Sequence, residues 1–159
     1  MSKSTTPHRT FRFFRRDYEA YPPAEGILLP TTIPNDLDDI GELGRQFALE
    51  TNTAGSRQLV TKSNQWRHAV LPYLTYIMLM DRQIGRLLYM LDSSVYADNT
   101  WIFWWSDHGW QLGHKQHWGA WMGWRQSTRV PLIIVPPRGQ KQVLRAQSCN
   151  EPVSLVNPH

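Results

Sequence analysis

The chain has 159 residues, of which 41% are hydrophobic and 19% charged, and its net charge is +4. This length suits one domain with a core, and the composition is globular rather than disordered or fibrous. No apolar run reaches the length of a membrane span, and the N-terminal stretch MSKSTTPHRTFRFFRR shows no secretory signal. The arginines in that stretch are interpreted as an exposed basic segment and not as a nucleic-acid surface. We therefore expect neither a membrane nor a nucleic-acid partner.

The first part of the chain lacks the periodic pattern of a helix or a strand. Four prolines between residues 22 and 34 interrupt any regular element, so residues 1–65 are interpreted as a largely irregular segment. The acidic stretch at residues 35–44 (NDLDDIGELG) lacks the complete twelve-residue pattern of a calcium loop, with its central glycine and final glutamate. We therefore predict a solvated acidic turn there and not a metal site.

Residues 66–92 carry the strongest helical pattern in the chain. Their apolar residues recur at the spacing of one helix face: Val70, Leu74, Ile77, Met80, Ile84, Leu87, Leu88 and Leu91. We predict that this stripe packs on one face of a sheet. Residues 66–159 then form the helix and sheet portion of one domain, 1–159.

Short apolar runs predict the strands of that sheet. Thr100–Trp105 (TWIFWW) and Val130–Val135 (VPLIIV) are β-branched and aromatic, and Val153–Val156 is a candidate for a third strand. Continuous apolar runs are typical of strands that are covered on both faces. Together with the long helix, they predict an α/β fold with buried, neighbouring strands in a mostly parallel sheet flanked by helices.

A carboxylate and an imidazole stand side by side where the first strand ends. In open α/β sheets, ligands bind beyond the carboxyl ends of the strands, and Ser106-Asp107-His108-Gly109 occupies that place. Asp107 offers an oxygen and His108 a nitrogen to a metal ion, while Gly109 permits a sharp turn. The alternative is that the pair only caps the next turn, with His108 bonded to the backbone.

The sequence around this pair resembles the sulfatase family of the alkaline phosphatase superfamily. An apolar strand, Ser-Asp-His-Gly, Leu-Gly and Ser-Thr-Arg-Val-Pro-Leu follow one another in residues 99–134 (NTWIFWWSDHGWQLGHKQHWGAWMGWRQSTRVPLII). This pattern is similar to the branch that includes iduronate-sulfatase-like enzymes. A looser resemblance extends to residues 6–22 (TPHRTFRFFRRDYEAYP), 73–92 (YLTYIMLMDRQIGRLLYMLD) and 151–159 (EPVSLVNPH).

The resemblance implies an alkaline-phosphatase-like α/β catalytic domain, of which these residues form an incomplete, C-terminal part. It implies hydrolysis of sulfate esters, with a calcium-type ion (Ca²⁺), a formylglycine nucleophile and a sulfated small molecule or carbohydrate as substrate. Asp107 and His108 match the family's metal pair, and His8 matches a histidine implied to contact sulfate or the leaving oxygen. Lys115 and His117 are weaker candidates for substrate contacts. His117 is equally well interpreted as a histidine bonded within its own loop.

The chain also departs from the family pattern. The motif Cys/Ser-x-Pro-Ser-Arg, from which formylglycine is made, does not occur in the 159 residues, and Cys149 is followed by Asn150. The family's two adjacent N-terminal metal aspartates are missing, and Ala120 stands where a sulfate-binding lysine is expected. We therefore predict that the chain alone is inactive.

Tryptophan is concentrated around the metal pair, since seven of the eight tryptophans lie between residues 101 and 124. The tryptophans of residues 100–105 are predicted to pack in the core. Those between residues 110 and 124 are candidates to line a pocket for a sugar or an aromatic leaving group.

Two other interpretations of the function are open. A phosphate or phosphonate ester hydrolase of the same superfamily would use the same metal pair. A non-catalytic remnant or binding module with an anion or sugar surface is favoured by Ala120. Family members are often exported or lysosomal, but the sequence carries no address and does not indicate an oligomeric state.

Overall fold

The structure, a computed structural model, describes residues 15–49, 64–120, 122–140 and 147–154. Its α-helices are α1 (Arg15–Glu19), α2 (Glu42–Leu49), α3 (Trp66–Asp92) and α4 (Arg125–Thr128). Its strands are β1 (Ile102–Trp105), β2 (Gln111–Leu112), β3 (Trp118–Gly119) and β4 (Leu132–Val135). Short 3-10 helices lie at Ala24–Gly26 and His114–Gln116.

The predicted long helix is present, with the predicted bounds, as α3. Its N-terminal half builds the core, where Val70 and Leu71 are buried. They pack with Ala24 and Ile27 of the N-terminal segment and with Trp118 of β3. The core therefore lies between the start of α3, the first 3-10 helix and the β2–β3 hairpin.

The remainder of the predicted apolar stripe on α3 is not buried. Ile77 is 50% exposed and Leu87 is 66% exposed. The principal contacts of α3 are with α1 and the first 3-10 helix, so the predicted packing of this stripe on the sheet is not found in the described residues. One link to α1 is the buried carboxylate of Asp17, which accepts a hydrogen bond of 2.7 Å from Arg82.

The position of the core predicts which substitutions on α3 destabilise the protein. Leu71→Ala should lower the free energy of unfolding by about 2–5 kcal/mol, because Leu71 is 3% exposed and its loss leaves a cavity. Leu87→Ala is the matched control and should change it by less than about 0.5 kcal/mol, since its side chain already faces solvent. Urea denaturation followed by circular dichroism measures both values. Equal destabilisation by the two substitutions would contradict this placement of the core.

The strands β1 and β4 are neighbours, as predicted, but they pair antiparallel. Ile102 lies opposite Val135 and Trp105 opposite Leu132. The mostly parallel sheet that the sequence predicts is therefore not found in the described residues, where these two strands pair antiparallel. Their connection, residues 106–131, holds the β2–β3 hairpin and the single-turn α4, and it returns the chain in the opposite direction.

The predicted burial of these strands is likewise not found in the described residues. Trp104 is 44% exposed, Trp105 is 55% exposed and their partners on β4 are exposed to a similar degree. Both faces of this two-stranded ribbon carry apolar side chains, and α3 packs elsewhere. A continuous apolar run thus indicated strand structure correctly, but the covering layers that it also implies are not supplied by the part of the chain described.

In the described part of the segment predicted to be largely irregular, α1 and α2 are α-helices. The apolar residues of α2 form no buried stripe, since Leu43 and Phe47 are exposed and only Ala48 is buried.

The predicted third strand, near the end of the chain, is described only in part. Val153 and Ser154 are exposed and in no strand, while residues 155–156 lie outside the described residues. None of the helices described is both long and apolar enough to span a bilayer.

Candidate metal centre

The predicted metal pair follows directly after β1. Asp107 is exposed, and its Oδ1 accepts a hydrogen bond of 3.0 Å from the backbone N–H of His108. Ser106 Oγ donates to the carbonyl oxygen of His108 over 2.7 Å. These short local bonds fix the Asp107 side chain and the backbone of His108 at the carboxyl end of the strand, the place that the sequence predicts for the pair.

The orientation of the His108 ring indicates which nitrogen can bind a metal. Nδ1 lies 2.9 Å from the carbonyl oxygen of Gly109, which can only accept, so Nδ1 carries the hydrogen. In the neutral ring Nε2 then holds the lone pair, the usual arrangement when the other nitrogen is bonded to the backbone.

The spacing of the two donor atoms is compatible with one shared cation. His108 Nε2 lies 3.7 Å from Asp107 Oδ2. Two adjacent ligands of a cation with bonds of about 2.3–2.6 Å are separated by about this distance. In the described part of the chain, no third His, Cys, Asp or Glu side chain joins them as a metal ligand. The pair therefore fits a part of a metal site, because calcium takes more ligands than two.

His8, the predicted sulfate contact, lies outside the described residues. The placement of His8 relative to Asp107 and His108 therefore stays a prediction.

Gly109 brings the metal pair against α4. Its N–H donates to the carbonyl oxygen of Ser127 over 2.7 Å, and a Cβ at this position would collide with the backbone oxygen of Gln126. The glycine predicted for a sharp turn is thus needed for close approach of two backbones.

The β2–β3 hairpin follows and is packed against the start of α3. Trp66 Nε1 donates to the carbonyl oxygen of Leu112 over 3.0 Å. Gly113 has a φ of +125°, and a Cβ there would lie 2.8 Å from the Trp66 ring. Only glycine combines this backbone conformation with this contact at low cost.

Lys115, at the tip of this hairpin, faces the acidic turn. Its Nζ lies 2.6 and 2.7 Å from the two carboxylate oxygens of Asp39 and 3.2 Å from Asp36 Oδ1. The Asp36 side chain is only 10% exposed. The prediction of a solvated acidic turn is therefore wrong for Asp36, which is covered by the hairpin.

His117 is buried, with a fractional exposure of 2%. Its Nδ1 lies 2.9 Å from the carbonyl oxygen of Ala48, and its Nε2 lies 3.2 Å from that of Ala120. The ring also packs edge-on with Trp124 at a centroid distance of 6.2 Å. These contacts favour the interpretation of His117 as a histidine bonded within the protein over that of an exposed substrate contact.

The tryptophans divide differently from the prediction. Trp118, a candidate for the substrate pocket, is 5% exposed and belongs to the core. Trp101, predicted from the sequence to pack in the core, is 45% exposed. Trp110 and Trp124 are partly buried, and residue 121 lies outside the described residues. Trp118 thus packs inside the protein and is not available to line a substrate pocket.

Sequence reasoning missed the residues that support the loop from outside it. Two of them, Asp36 and Ala48, lie 60 or more residues before the hairpin residues that they contact. The third, Trp66, contacts the hairpin from α3. No local pattern in the sequence marks any of the three. One signal in the sequence did point to such a contact, because a turn with three aspartates favours positively charged side chains nearby. In the structure, Lys115 and Arg45 supply these charges.

The chain matches known proteins over most of its length. A profile of the sulfatase family matches residues 13–157. A sulfatase of Formosa agariphila is 31% identical over 151 residues, covering 95% of this chain and 29% of that protein. Iduronate 2-sulfatase of Mus musculus is 31% identical over 82% of this chain and 25% of its own length. Choline-sulfatase of Rhizobium meliloti is 29% identical over 84% of this chain and 25% of its own length.

The chain spans less than a third of the length of these relatives. Its order of elements, with an apolar strand followed by Ser-Asp-His-Gly, lies inside the matched region. Since the family profile covers nearly all of its residues, the chain belongs to the sulfatase family.

Proposed function

We propose that this chain is the metal-carrying, C-terminal part of a sulfatase catalytic domain. The observation that supports this most directly is the 3.7 Å spacing of Asp107 Oδ2 and His108 Nε2 at the exposed end of β1. A calcium-type ion, when bound, supplies positive charge to the oxygens of a sulfate group. Asp107 and His108 contribute two of its ligands, and the remaining ligands come from elsewhere in the complete domain.

The proposed substrate is a sulfated small molecule or carbohydrate. The relatives are named for iduronate, a sugar acid, and for choline, a small cation, so the family accommodates different leaving groups. His8 is proposed to contact the sulfate or the leaving oxygen, by the family match. Formylglycine is the proposed nucleophile of the complete domain, since these residues hold no motif for it.

The ribbon formed by β1 and β4 is proposed to belong to a larger, mostly parallel sheet. Its apolar side chains are exposed on both faces, as expected for strands whose covering layers belong to other parts of a domain. Sheets of this class often carry an antiparallel strand, so the pairing of β1 with β4 is compatible with the proposal.

A second candidate is a non-catalytic module that binds an anion or a sugar, and Ala120 favours it. Ala120 is 3% exposed, and its carbonyl oxygen lies within hydrogen-bond distance of His117. A lysine at this buried position would have to extend its ammonium group to solvent, because burial of an unpaired charge is unfavourable. The alanine therefore suits the surrounding packing without supplying a cation for sulfate.

A metal titration tests the proposed ligand pair. Calcium added to the ¹⁵N-labelled chain should shift the amide resonances of Asp107 and His108 with a Kd of about 1 mM or weaker, since few ligands are present. Asp107→Asn should abolish these shifts because it removes the charged oxygen. Asp81→Asn is the matched control, because Asp81 is an exposed aspartate on α3, and it should leave the titration unchanged.

The same titration can contradict the proposal. Shifts confined to residues 35–39 would place the cation on the acidic turn instead. A titration that is unaffected by Asp107→Asn would exclude Asp107 as a ligand.

A further inference from the structure

Several polar contacts join Lys115 to the acidic turn, although the two lie more than 70 residues apart in the chain. Besides the carboxylate of Asp39, the ammonium group donates to the backbone oxygen of Asp36 over 2.9 Å. The backbone N–H of Lys115 also donates to Asp36 Oδ2 over 2.6 Å. Asp36 thus binds the main chain and the side chain of the same lysine, and the side chain of Lys115 is 17% exposed.

This contact coincides with an unusual backbone at the hairpin tip. Lys115 and Gln116 both have a φ of +49°, in the left-handed region that residues with a Cβ rarely adopt. Two such residues in sequence are unfavourable by themselves, so the surrounding contacts must stabilise them. The hydrogen bond from the Lys115 N–H to Asp36 acts directly on this strained peptide.

The charges of the contact are maintained over a wide pH range. Hydrogen bonding to Lys115 lowers the pKa of the Asp39 carboxyl, and hydrogen bonding to Asp39 raises the pKa of the Lys115 ammonium. The contribution of Asp39 is present above its usual pKa and is lost as the pH falls through its lowered pKa. That of Lys115 is present below its usual pKa and is lost as the pH rises through its raised pKa.

The hairpin links this contact to the candidate site. β2 begins at Gln111, two residues after Gly109, and β3 ends at Gly119, directly before Ala120. The open end of the hairpin therefore leads to the metal pair on one side and to the position of the family's sulfate-binding lysine on the other. An anchor at the tip fixes where both of these ends lie.

We propose that Lys115 is a positioning residue, which anchors the β2–β3 hairpin to the acidic turn 35–39 and thereby holds the metal pair in place, and that it is not a sulfate contact. The proposal rests on the proposed function for its link to the metal site. In this role, the carboxylates of the acidic turn balance the positive charge of Lys115.

Amide spectra and calcium titrations of the full 159-residue chain test this role. Lys115→Met should shift the amide resonances of Gly113, His117 and Gly109 and raise the calcium Kd at the metal pair about 10-fold, as for other residues that orient a metal ligand. Lys115→Arg should keep the amide resonances and the calcium Kd close to their wild-type values, because a guanidinium also pairs with a carboxylate through two bonds. Asp39→Asn should act in the same direction as Lys115→Met.

The acidic turn offers a matched control. Arg45 pairs with Asp38 over 3.3 Å on the same turn, and Arg45→Met should leave the hairpin amides and the calcium Kd unchanged. Asp39 is 69% exposed, so Asp39→Asn tests the contact even if Lys115→Met does not fold.

Three results would overturn the proposal. The first is a Lys115→Met variant that folds and keeps the wild-type hairpin amides and calcium Kd. The second is an Asp39→Asn variant with wild-type hairpin amides. The third is a shift of the Lys115 ammonium resonance on addition of inorganic sulfate, which would make Lys115 an anion contact. If the wild-type chain binds no calcium, the proposed function fails, and the hairpin amides alone decide whether Lys115 is the anchor.

Discussion

The purified 159-residue chain, supplied with calcium, is expected to hydrolyse neither an aryl sulfate nor an aryl phosphate above background. Covalent catalysis needs a nucleophile that is activated by a neighbouring base. Cys149 is exposed and distant in sequence from the metal pair, and the hydroxyl of Ser106 donates to the carbonyl oxygen of His108. Neither side chain has the setting of an activated nucleophile.

The alanine at position 120, where the family has a sulfate-binding lysine, lowers the expected activity further. Removing one group that stabilises developing charge typically slows a reaction by about 100- to 1,000-fold. Supplying the part of the domain that carries a nucleophile should therefore restore only weak activity while alanine remains at this position. Because Ala120 is 3% exposed, Ala120→Lys should restore activity only if the local packing rearranges.

Release of the phenol product, measured spectrophotometrically, checks this prediction. Turnover that disappears in Asp107→Ala would contradict it and would place a nucleophile among these residues. Turnover of the phosphate but not of the sulfate would favour the phosphate ester hydrolase interpretation. Equal turnover by the wild type and Asp107→Ala would identify a contaminating hydrolase.

Gly109→Ala is expected to have the largest structural effect of any small substitution at the site. The added Cβ would collide with the backbone oxygen of Gln126, and a backbone atom cannot move away as a flexible side chain can. We expect a loss of about 1–3 kcal/mol or more in the free energy of unfolding, as for other overpacked positions. The hydrogen bond from the Gly109 N–H to Ser127 should be lost as well.

Gly123→Ala is the matched control for this substitution. Gly123 lies in the same loop region, and a Cβ there meets no atom within 4 Å. Its urea unfolding midpoint should remain near the wild-type value, whereas that of Gly109→Ala should fall clearly. A Gly109→Ala midpoint equal to that of the wild type would contradict the close approach of the metal-pair turn to α4.

Local patterns in the sequence determined several features of this protein by themselves. The spacing of apolar residues gave both bounds of α3, because a helix of this length is specified by its own periodicity. The apolar runs located β1 and β4 to within two residues at their starts, since β-branched and aromatic side chains favour extended backbone. The order of strand, Asp107, His108 and glycine indicated the sulfatase family and placed the candidate metal pair directly after β1.

Only the tertiary structure decided how these elements are covered and what holds the His and Lys loop. Direction of pairing and burial depend on which layers reach a strand, and neither is encoded in the strand itself, so β1 and β4 proved antiparallel and half exposed. Lys115 and His117 read alike in the sequence, as basic residues near a metal pair. Their contacts differ only through distant partners, Asp36 and Asp39 for the lysine and the carbonyl oxygen of Ala48 for the histidine. The physical reason is that a buried or strained polar group is stabilised by the atoms that surround it in space.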